Sequence, residues 1–225
     1  MKSSLQLERT QSILFLMRKR RPKKKSVSKK QVQNSKKRTS PPPKSNDPVH
    51  PWRACPYGEH WVTVHPLNVP PSKTHPEGAL TTRHGHCAHN PSRKDQLYPD
   101  EIREIANRHF LNTKNKPCPL SLKFPNGSKF DDLIAGWTQY WNEVLQPAEP
   151  LDPNFVKALI ATESGFNPNL LANKKNQKSA RGLMQILDAT RKILDDGTGE
   201  IKDHYITATR SDLNEPSINI CAGIR

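Results

Sequence analysis

The sequence is poor in the groups that build a hydrophobic core. Only 33% of its 225 residues are hydrophobic and 6% are aromatic, whereas 21 residues are proline. No apolar run approaches the roughly 20 residues that a transmembrane helix needs. The length allows one or two domains, but this composition excludes a core that extends through the whole chain.

Acidic residues are almost missing from the first 50 positions, where 15 Lys or Arg face only Glu8 and Asp47. The other 175 residues carry 21 basic and 19 acidic groups, so most of the formal charge of +15 belongs to an N-terminal tail. Residues 1–45 have too few apolar groups to fold and are predicted to form a disordered basic tail. This tail allows contact with a polyanion, although a merely solvated tail is the simpler interpretation. Nothing in the chain indicates sequence-specific recognition of nucleic acid.

A cleavable signal peptide is not recognisable. The apolar patch at residues 13–17 is shorter than the hydrophobic region of a signal peptide, and its basic cluster follows the patch instead of preceding it. The sequence therefore does not identify an export route.

Cysteine is scarce as well. Cys55, Cys87, Cys118 and Cys221 are widely spaced and form no C-x-x-C pair, so they fix no redox compartment. Residues 46–98 are rich in proline and histidine and are predicted to form a loop-rich module. Within it, only residues 61–65 alternate as a strand would.

Most of the histidines lie in this module. Among them are His60, His65, His75, His84, His86 and His89. Together with Cys87, and with Cys55 and Cys118 as distant partners, they are the ligand types of a metal site, but their spacing matches no zinc signature. We therefore predict neither a metal nor a cofactor. A face that binds sugars and plain surface histidines both stay open as interpretations.

Residues 99–146 are predicted to be a helical connector with two helices. Pro99, followed by two acidic residues, opens the first, which extends to about Leu111. The second covers about residues 131–145 and carries an aromatic stripe that includes Trp137 and Trp141. At helical spacing such a stripe favours a core position over a sugar-binding platform.

A third helix is predicted from Pro153 to about Ser164, because Asp152 is a good N-cap and Gly165 a strong stop signal. Phe155, Leu159 and Glu163 are spaced i, i+4, i+8, so we expect Glu163 to point inward at the end of an apolar stripe. Loss of solvation disfavours the carboxylate anion, and the group can then serve as a general acid near neutral pH. From periodicity alone, a glutamate that bends out to water is the simpler alternative.

Three short motifs follow one another in the last third of the chain. Residues 163–168 read Glu-Ser-Gly-Phe-Asn-Pro, residues 182–186 read Gly-Leu-Met-Gln-Ile, and residues 219–223 read Asn-Ile-Cys-Ala-Gly. In this order and spacing they resemble the E-S-x-F-N-P, G-L-M-Q-I and N-I-x-x-G motifs of the soluble lytic transglycosylase family, which is related to goose-type lysozyme. We assign residues 147–225 to such a domain.

The resemblance implies a mainly α, lysozyme-like catalytic domain that acts on peptidoglycan glycan strands. Glu163 would be the general acid and base that cleaves the β-1,4 bond between N-acetylmuramic acid and N-acetylglucosamine and leaves 1,6-anhydro-muramoyl ends. This lyase chemistry fits the lack of a second carboxylate motif of the kind that ordinary glycosidases use. An active enzyme would work in the cell envelope or periplasm.

By the same resemblance, Ser164, Met184, Gln185 and Asn219 would bind substrate. Gly182 and Gly223 are interpreted as positions where a β-carbon would obstruct packing. Asp188 stands where the family often has proline, and we expect it to cap a helix.

Family domains continue beyond the third motif, whereas this chain stops at Arg225, so we expect a C-terminally truncated, partial domain. The alternative function is a truncated or inactive peptidoglycan-binding or structural component of a phage or secretion apparatus.

Overall fold

The computed structural model describes residues 51–225, which belong to one compact unit. The predicted disordered tail, residues 1–45, lies outside the described residues. The described part contains five α-helices and six short strands, and the helices supply most of its buried apolar side chains. None of these helices is long and apolar enough to cross a membrane.

The module after the tail contains a long β-hairpin where loops were predicted. Its strands are β1 (Glu59–Val62), β2 (His65–Val69), β3 (Ala79–Arg83) and β4 (His86–His89). One antiparallel register continues through both pairs, from Glu59 opposite His89 to Val69 opposite Ala79. The predicted strand over residues 61–65 is wrong in its bounds, because the chain leaves the ladder at Thr63. There the Thr63 backbone N–H and hydroxyl both donate to Asp100 Oδ2, at 3.2 and 3.0 Å.

A disulfide joins Cys55 to Cys87 in β4, with the two Cα atoms 5.6 Å apart. The bond removes both thiols from the set of candidate metal ligands. Among residues 51–225, no three His, Cys, Asp or Glu side chains are placed to hold a metal ion. In the chain-entropy model, cross-linking residues separated by 32 positions stabilises the fold by about 3–4 kcal/mol.

Both helices predicted in the connector are present. They are α1 (Pro99–His109), which continues into a 3-10 turn at Phe110–Asn112, and α2 (Asp131–Leu145). Phe110, and not His109, completes the buried face of the first helix. Gly136 lets the Phe110 ring lie against α2, since a β-carbon on Gly136 would come within 2.3 Å of that ring.

The aromatic stripe of α2 is in the core, as predicted. Trp137, Tyr140 and Trp141 are each no more than 2% exposed. The indole of Trp137 donates to Ser217 Oγ at 3.0 Å, and that of Trp141 donates to the Cys221 carbonyl oxygen at 2.9 Å. Because both acceptors lie on the last helix, α5 (Pro216–Ile224), these bonds fix α5 against α2. The alternative of an aromatic sugar platform on α2 is therefore wrong.

Two short strands connect the N-terminal module to the last third of the chain. They are β5 (Gln96–Leu97) and β6 (Tyr205–Ile206), which pair in parallel.

Beside this pair, the buried guanidinium of Arg53 donates from Nε and Nη2 to the two carboxylate oxygens of Glu101, at 2.7 and 2.8 Å. Arg53 also forms an ion pair with Asp95, whose other oxygen is 2.5 Å from His204 Nδ1. The N-terminal module and the last third of the chain thus share a strand pair, a buried charge cluster and a hydrophobic core.

Candidate active site

The helix that carries Glu163 is held at both ends by local signals. It is α3 (Pro153–Ser164), with the bounds that the capping residues predict. Asp152 Oδ1 accepts a hydrogen bond from the backbone N–H of Asn154 at 2.8 Å, and Gly165 ends the helix with φ 56°. A residue with a β-carbon adopts this left-handed conformation at a cost, so glycine suits the stop.

Contacts outside the helix set its rotation. The Asn142 amide bonds both the N–H and the carbonyl of Leu151, at 2.8 and 2.9 Å, and so fixes the link between α2 and α3. Lys157 is 2% exposed, and its ammonium lies 2.8 Å from Asp131 and donates to the Cys118 carbonyl at 2.7 Å. Sequence reasoning missed this buried pair, because Lys157 has no distinguishing pattern among its apolar neighbours.

Glu163 is exposed, so the prediction that it points inward is wrong. The buried stripe of α3 is the neighbouring one, with Val156, Ile160 and Ser164, whereas Phe155 is 62% exposed. Both stripes have helical spacing, and the Lys157 contacts select the stripe that faces the core. The carboxyl group of Glu163 therefore lies at the solvent side of the helix, where a ligand can reach it.

Ser164 follows Glu163 in sequence, but its side chain turns away from the solvent. It is 9% exposed, and its hydroxyl donates to the Ile160 carbonyl at 3.2 Å. The chain then leaves the helix through Gly165 and Phe166, both with positive φ, which places the buried Phe166 ring against Phe124 with centroids 5.7 Å apart.

The second motif forms a tight turn. Arg181 and Ile186 exchange backbone hydrogen bonds of 3.2 and 3.0 Å, which closes the turn at its base. Gly182 has φ 76° and Gln185 has φ 47°. The Gln185 side-chain amide donates to the carbonyls of Gly182, at 2.8 Å, and Leu170, at 3.2 Å. These bonds tie the turn to the segment that leaves α3.

Asn219 lies beneath this turn and has no exposed surface. Its Oδ1 accepts from the Met184 N–H at 2.7 Å, and its Nδ2 donates to the carbonyls of Leu213 and Arg181, at 2.7 and 3.1 Å. The resemblance implied a sugar contact here, but burial corrects that placement, since the amide is enclosed by protein. Asn219 holds Met184 and Gln185 in place.

Gly182→Ala should destabilise the protein strongly. A β-carbon at this position would lie 2.4 Å from the Leu213 carbonyl oxygen and 2.1 Å from Asn219 Nδ2, and the positive φ adds strain. We expect a loss of about 2–4 kcal/mol in the free energy of unfolding, measured by urea denaturation. Gly223→Ala is the matched comparison and should cost less, since its nearest obstacle, the Met184 sulfur at 2.4 Å, belongs to a flexible side chain and the nearest atom close to the backbone, Met184 Cβ, is 2.9 Å away. Equal losses in both variants would contradict this account of Gly182.

Met184 and Gln185 line a cavity of about 340 Å³ together with Leu187, Ile201 and Arg225. The lining is mostly apolar, and Glu163 is not part of it. The structure thus brings the second and third motifs into direct contact, while Glu163 stands at a separate exposed position at the end of α3.

Asp188 is the first residue of the short helix α4 (Asp188–Leu194) and makes no capping hydrogen bond, so the predicted cap is wrong. Its carboxylate instead accepts hydrogen bonds from Arg210 through both oxygens and from Arg191 through one, each at 2.9 Å. Hydrogen bonds first from Arg210 and then from Arg191 hold the pKa of Asp188 far below its ordinary value of 3.8. The hydrogen bonds from Arg210 to Asp188 join α4 to the loop that precedes α5.

Asp188→Asn should therefore lower thermal stability at neutral pH but not in acid. A carboxyl group whose pKa is depressed by folding contributes stability above its unfolded pKa, and the contribution is lost as the pH falls toward the folded pKa. We expect the Tm of the variant to lie below that of the parent at pH 7 and the two values to converge as the pH drops below 3.8. Asp132→Asn, which breaks the exposed pair with Lys116, should change Tm little at either pH. A difference in Tm between Asp188→Asn and the parent that does not depend on pH would contradict this role of the Asp188 carboxylate.

The C-terminal part of the chain matches a known family. Residues 140–225 match the family model described as the transglycosylase SLT domain. No curated protein and no solved structure gives a significant match to the chain. The matched segment contains the last six residues of α2, the helix α3 with Glu163, the turn at Gly182 and the helix α5. The match supports a soluble lytic transglycosylase-type domain over residues 140–225.

Proposed function

We propose that this chain is a peptidoglycan lytic transglycosylase that cleaves the β-1,4 bond between N-acetylmuramic acid and N-acetylglucosamine. The observation that carries the proposal is a carboxyl group, Glu163, that stands exposed at the end of a firmly held helix inside the matched family segment. The buried contacts of Lys157 and the Asp152 cap fix the helix, so the carboxyl group is presented from a rigid support.

In the proposed reaction, Glu163 donates its proton to the glycosidic oxygen as the bond to C1 of the muramoyl residue breaks. The muramoyl 6-hydroxyl then bonds to C1, and its proton returns to the Glu163 carboxylate. The products are an N-acetylglucosamine hydroxyl end and a 1,6-anhydro-muramoyl end, with no net consumption of water.

The substrate-binding roles of Met184 and Gln185 remain part of the proposal. Both line an open cavity, and the buried amide of Asn219 holds the turn on which they lie. Ser164 would not contact the substrate directly, because its hydroxyl donates to the Ile160 carbonyl within the helix. In this scheme it helps to hold the end of α3 that carries Glu163. Asn219 is a positioning residue in this scheme, since nothing that it bonds lies at the surface.

The cell envelope is the proposed site of action, because peptidoglycan lies there. The disulfide between Cys55 and Cys87 supports this placement, since such bonds persist in oxidising compartments and are rare in the cytosol.

Mass spectrometry of the soluble fragments released from purified peptidoglycan tests the proposal. Anhydro-muropeptides are expected from the parent chain. Fragments with reducing ends would instead indicate a hydrolase of the lysozyme kind, and a folded sample that releases nothing would favour the alternative of a peptidoglycan-binding or structural component.

A further inference from the structure

A second cavity lies away from Glu163, where the N-terminal module meets the loop after α4. Its volume is about 350 Å³, within the range of small-ligand sites. The floor is formed by Gln96 and Tyr205, which face each other across the β5–β6 pair, and by Tyr98. Lys94 and Asp195 are the charged residues of its rim.

The polar groups of this cavity are already fixed by the protein. Gln96 is 6% exposed, accepts a hydrogen bond from the Tyr205 hydroxyl at 2.5 Å, and donates to the Thr207 hydroxyl. Thr207 in turn donates to Asp195 Oδ1 at 2.6 Å, which leaves Oδ2 available for a ligand. Lys94 Nζ donates one of its three hydrogens to the Gly197 carbonyl at 2.6 Å.

The two tyrosine rings are also held in place. His60 stacks on Tyr98 with ring centroids 4.0 Å apart and an interplanar angle of 31°. Gly197 lies so close to Tyr205 that a β-carbon there would be 3.1 Å from the ring. Burial, and then the nearby Tyr205 and Asp195, raise the pKa of Tyr98, so its hydroxyl stays protonated and able to donate. Rigid aromatic surface beside fixed hydrogen-bonding groups is the composition of a preformed binding site.

The charges select the class of ligand. The rim holds one ammonium group and one carboxylate, whose charges balance. A ligand with a strong net charge of either sign therefore gains little binding energy there. A neutral ligand with several hydroxyl or amide groups can instead accept from Lys94 and donate to Asp195 while its C–H face lies on the ring of Tyr98, which is partly exposed, whereas Tyr205 is buried. We propose that this cavity is an accessory binding site for a pyranose residue of a glycan strand. The choice of a glycan rests on the proposed function, whereas the chemistry of the site does not involve Glu163.

The test uses the full chain with Lys94→Ala and Asp195→Ala combined, since both side chains are exposed. The matched control combines Lys192→Ala and Glu149→Ala, which removes one ammonium group and one carboxylate from exposed positions outside the cavity lining. The probes are a tetramer of N-acetylglucosamine, followed by NMR at the Gln96 side-chain amide, and insoluble peptidoglycan in a sedimentation assay.

The tetramer should shift the Gln96 amide signals in the parent and in the control but not in the cavity variant. Peptidoglycan affinity should fall about tenfold in the cavity variant alone, as expected for the loss of two hydrogen-bonding groups. Unmoved Gln96 signals in the parent, or equal affinities in the two variants, would overturn the accessory site. Shifted signals in a parent that releases no muropeptides would support this site while the proposed catalytic function fails, so the two failures are distinguishable.

Discussion

Glu163→Gln should reduce the release of anhydro-muropeptides by about 10²–10⁴-fold, the contribution expected of a positioned general acid and base. Glutamine keeps the shape of the side chain and can still form hydrogen bonds, but it has no proton to donate to the glycosidic oxygen. Because Glu163 is exposed, the substitution should leave the fold intact and glycan binding nearly unchanged. Product release is measured by mass spectrometry, and binding by sedimentation with peptidoglycan.

Glu149→Gln is the matched control, since it removes an exposed carboxylate of the same type from the linker between α2 and α3. This variant should match the parent in both assays. Activity near the parental level in Glu163→Gln would remove Glu163 from the mechanism.

Arg53→Met should lower the free energy of unfolding by about 3–5 kcal/mol, because it breaks a buried ion pair and leaves the buried carboxyl group of Glu101 without its partner. The Arg53 side chain has no exposed surface, and it is bonded to Glu101 and Asp95. Burial already raises the pKa of Glu101, and the Arg53 charge opposes that rise. Without the arginine, Glu101 should bind a proton in the folded state, and the stability of the variant should fall as the pH rises. Urea denaturation at several pH values measures both effects.

The comparison for this variant is Arg103→Met, which removes a half-exposed arginine from pairs with Asp100 and Glu215. Such surface pairs contribute no more than about 1 kcal/mol, so its loss should be small. Adding Glu101→Gln to Arg53→Met should restore part of the lost stability, since it removes the buried carboxylate that Arg53 had compensated. A loss for Arg53→Met no larger than that for Arg103→Met would contradict the role of the buried cluster.

The helices were predictable because their signals are local. Asp152 with Pro153 marks one boundary, Gly165 marks another, and the spacing of Trp137 and Trp141 identifies a buried face. Each of these signals acts within a few residues of its own position, so one sequence contains the information. The motif glycines differ, because a β-carbon on Gly182 would meet Leu213 and Asn219 and one on Gly223 would meet Met184, all of them distant in sequence. The resemblance to the family, and no local signal, identified these two positions.

The features that the sequence did not predict depend on distant partners. The disulfide needs Cys55 and Cys87 to meet across a hairpin whose register the sequence does not display. The rotation of α3, which exposes Glu163, depends on the pairing of Lys157 with Asp131.

Asn219 illustrates the same limit within the candidate site. Its motif identified it as important, but only its three hydrogen bonds place it inside the protein and not at the surface.

The parallel pairing of β5 with β6 also affects the order of events during synthesis. Tyr205 follows Gln96 by 109 residues, so at 5–20 residues per second the ribosome adds it roughly 5–20 s later. Throughout that interval the edge of β5 has no neighbouring strand. For the same reason, a recombinant fragment that begins at residue 140 would contain β6 without β5 and His204 without Asp95. The boundary of the matched segment is thus not a boundary of folding, and we expect stable expression of residues 140–225 to require the residues from Arg53 onward.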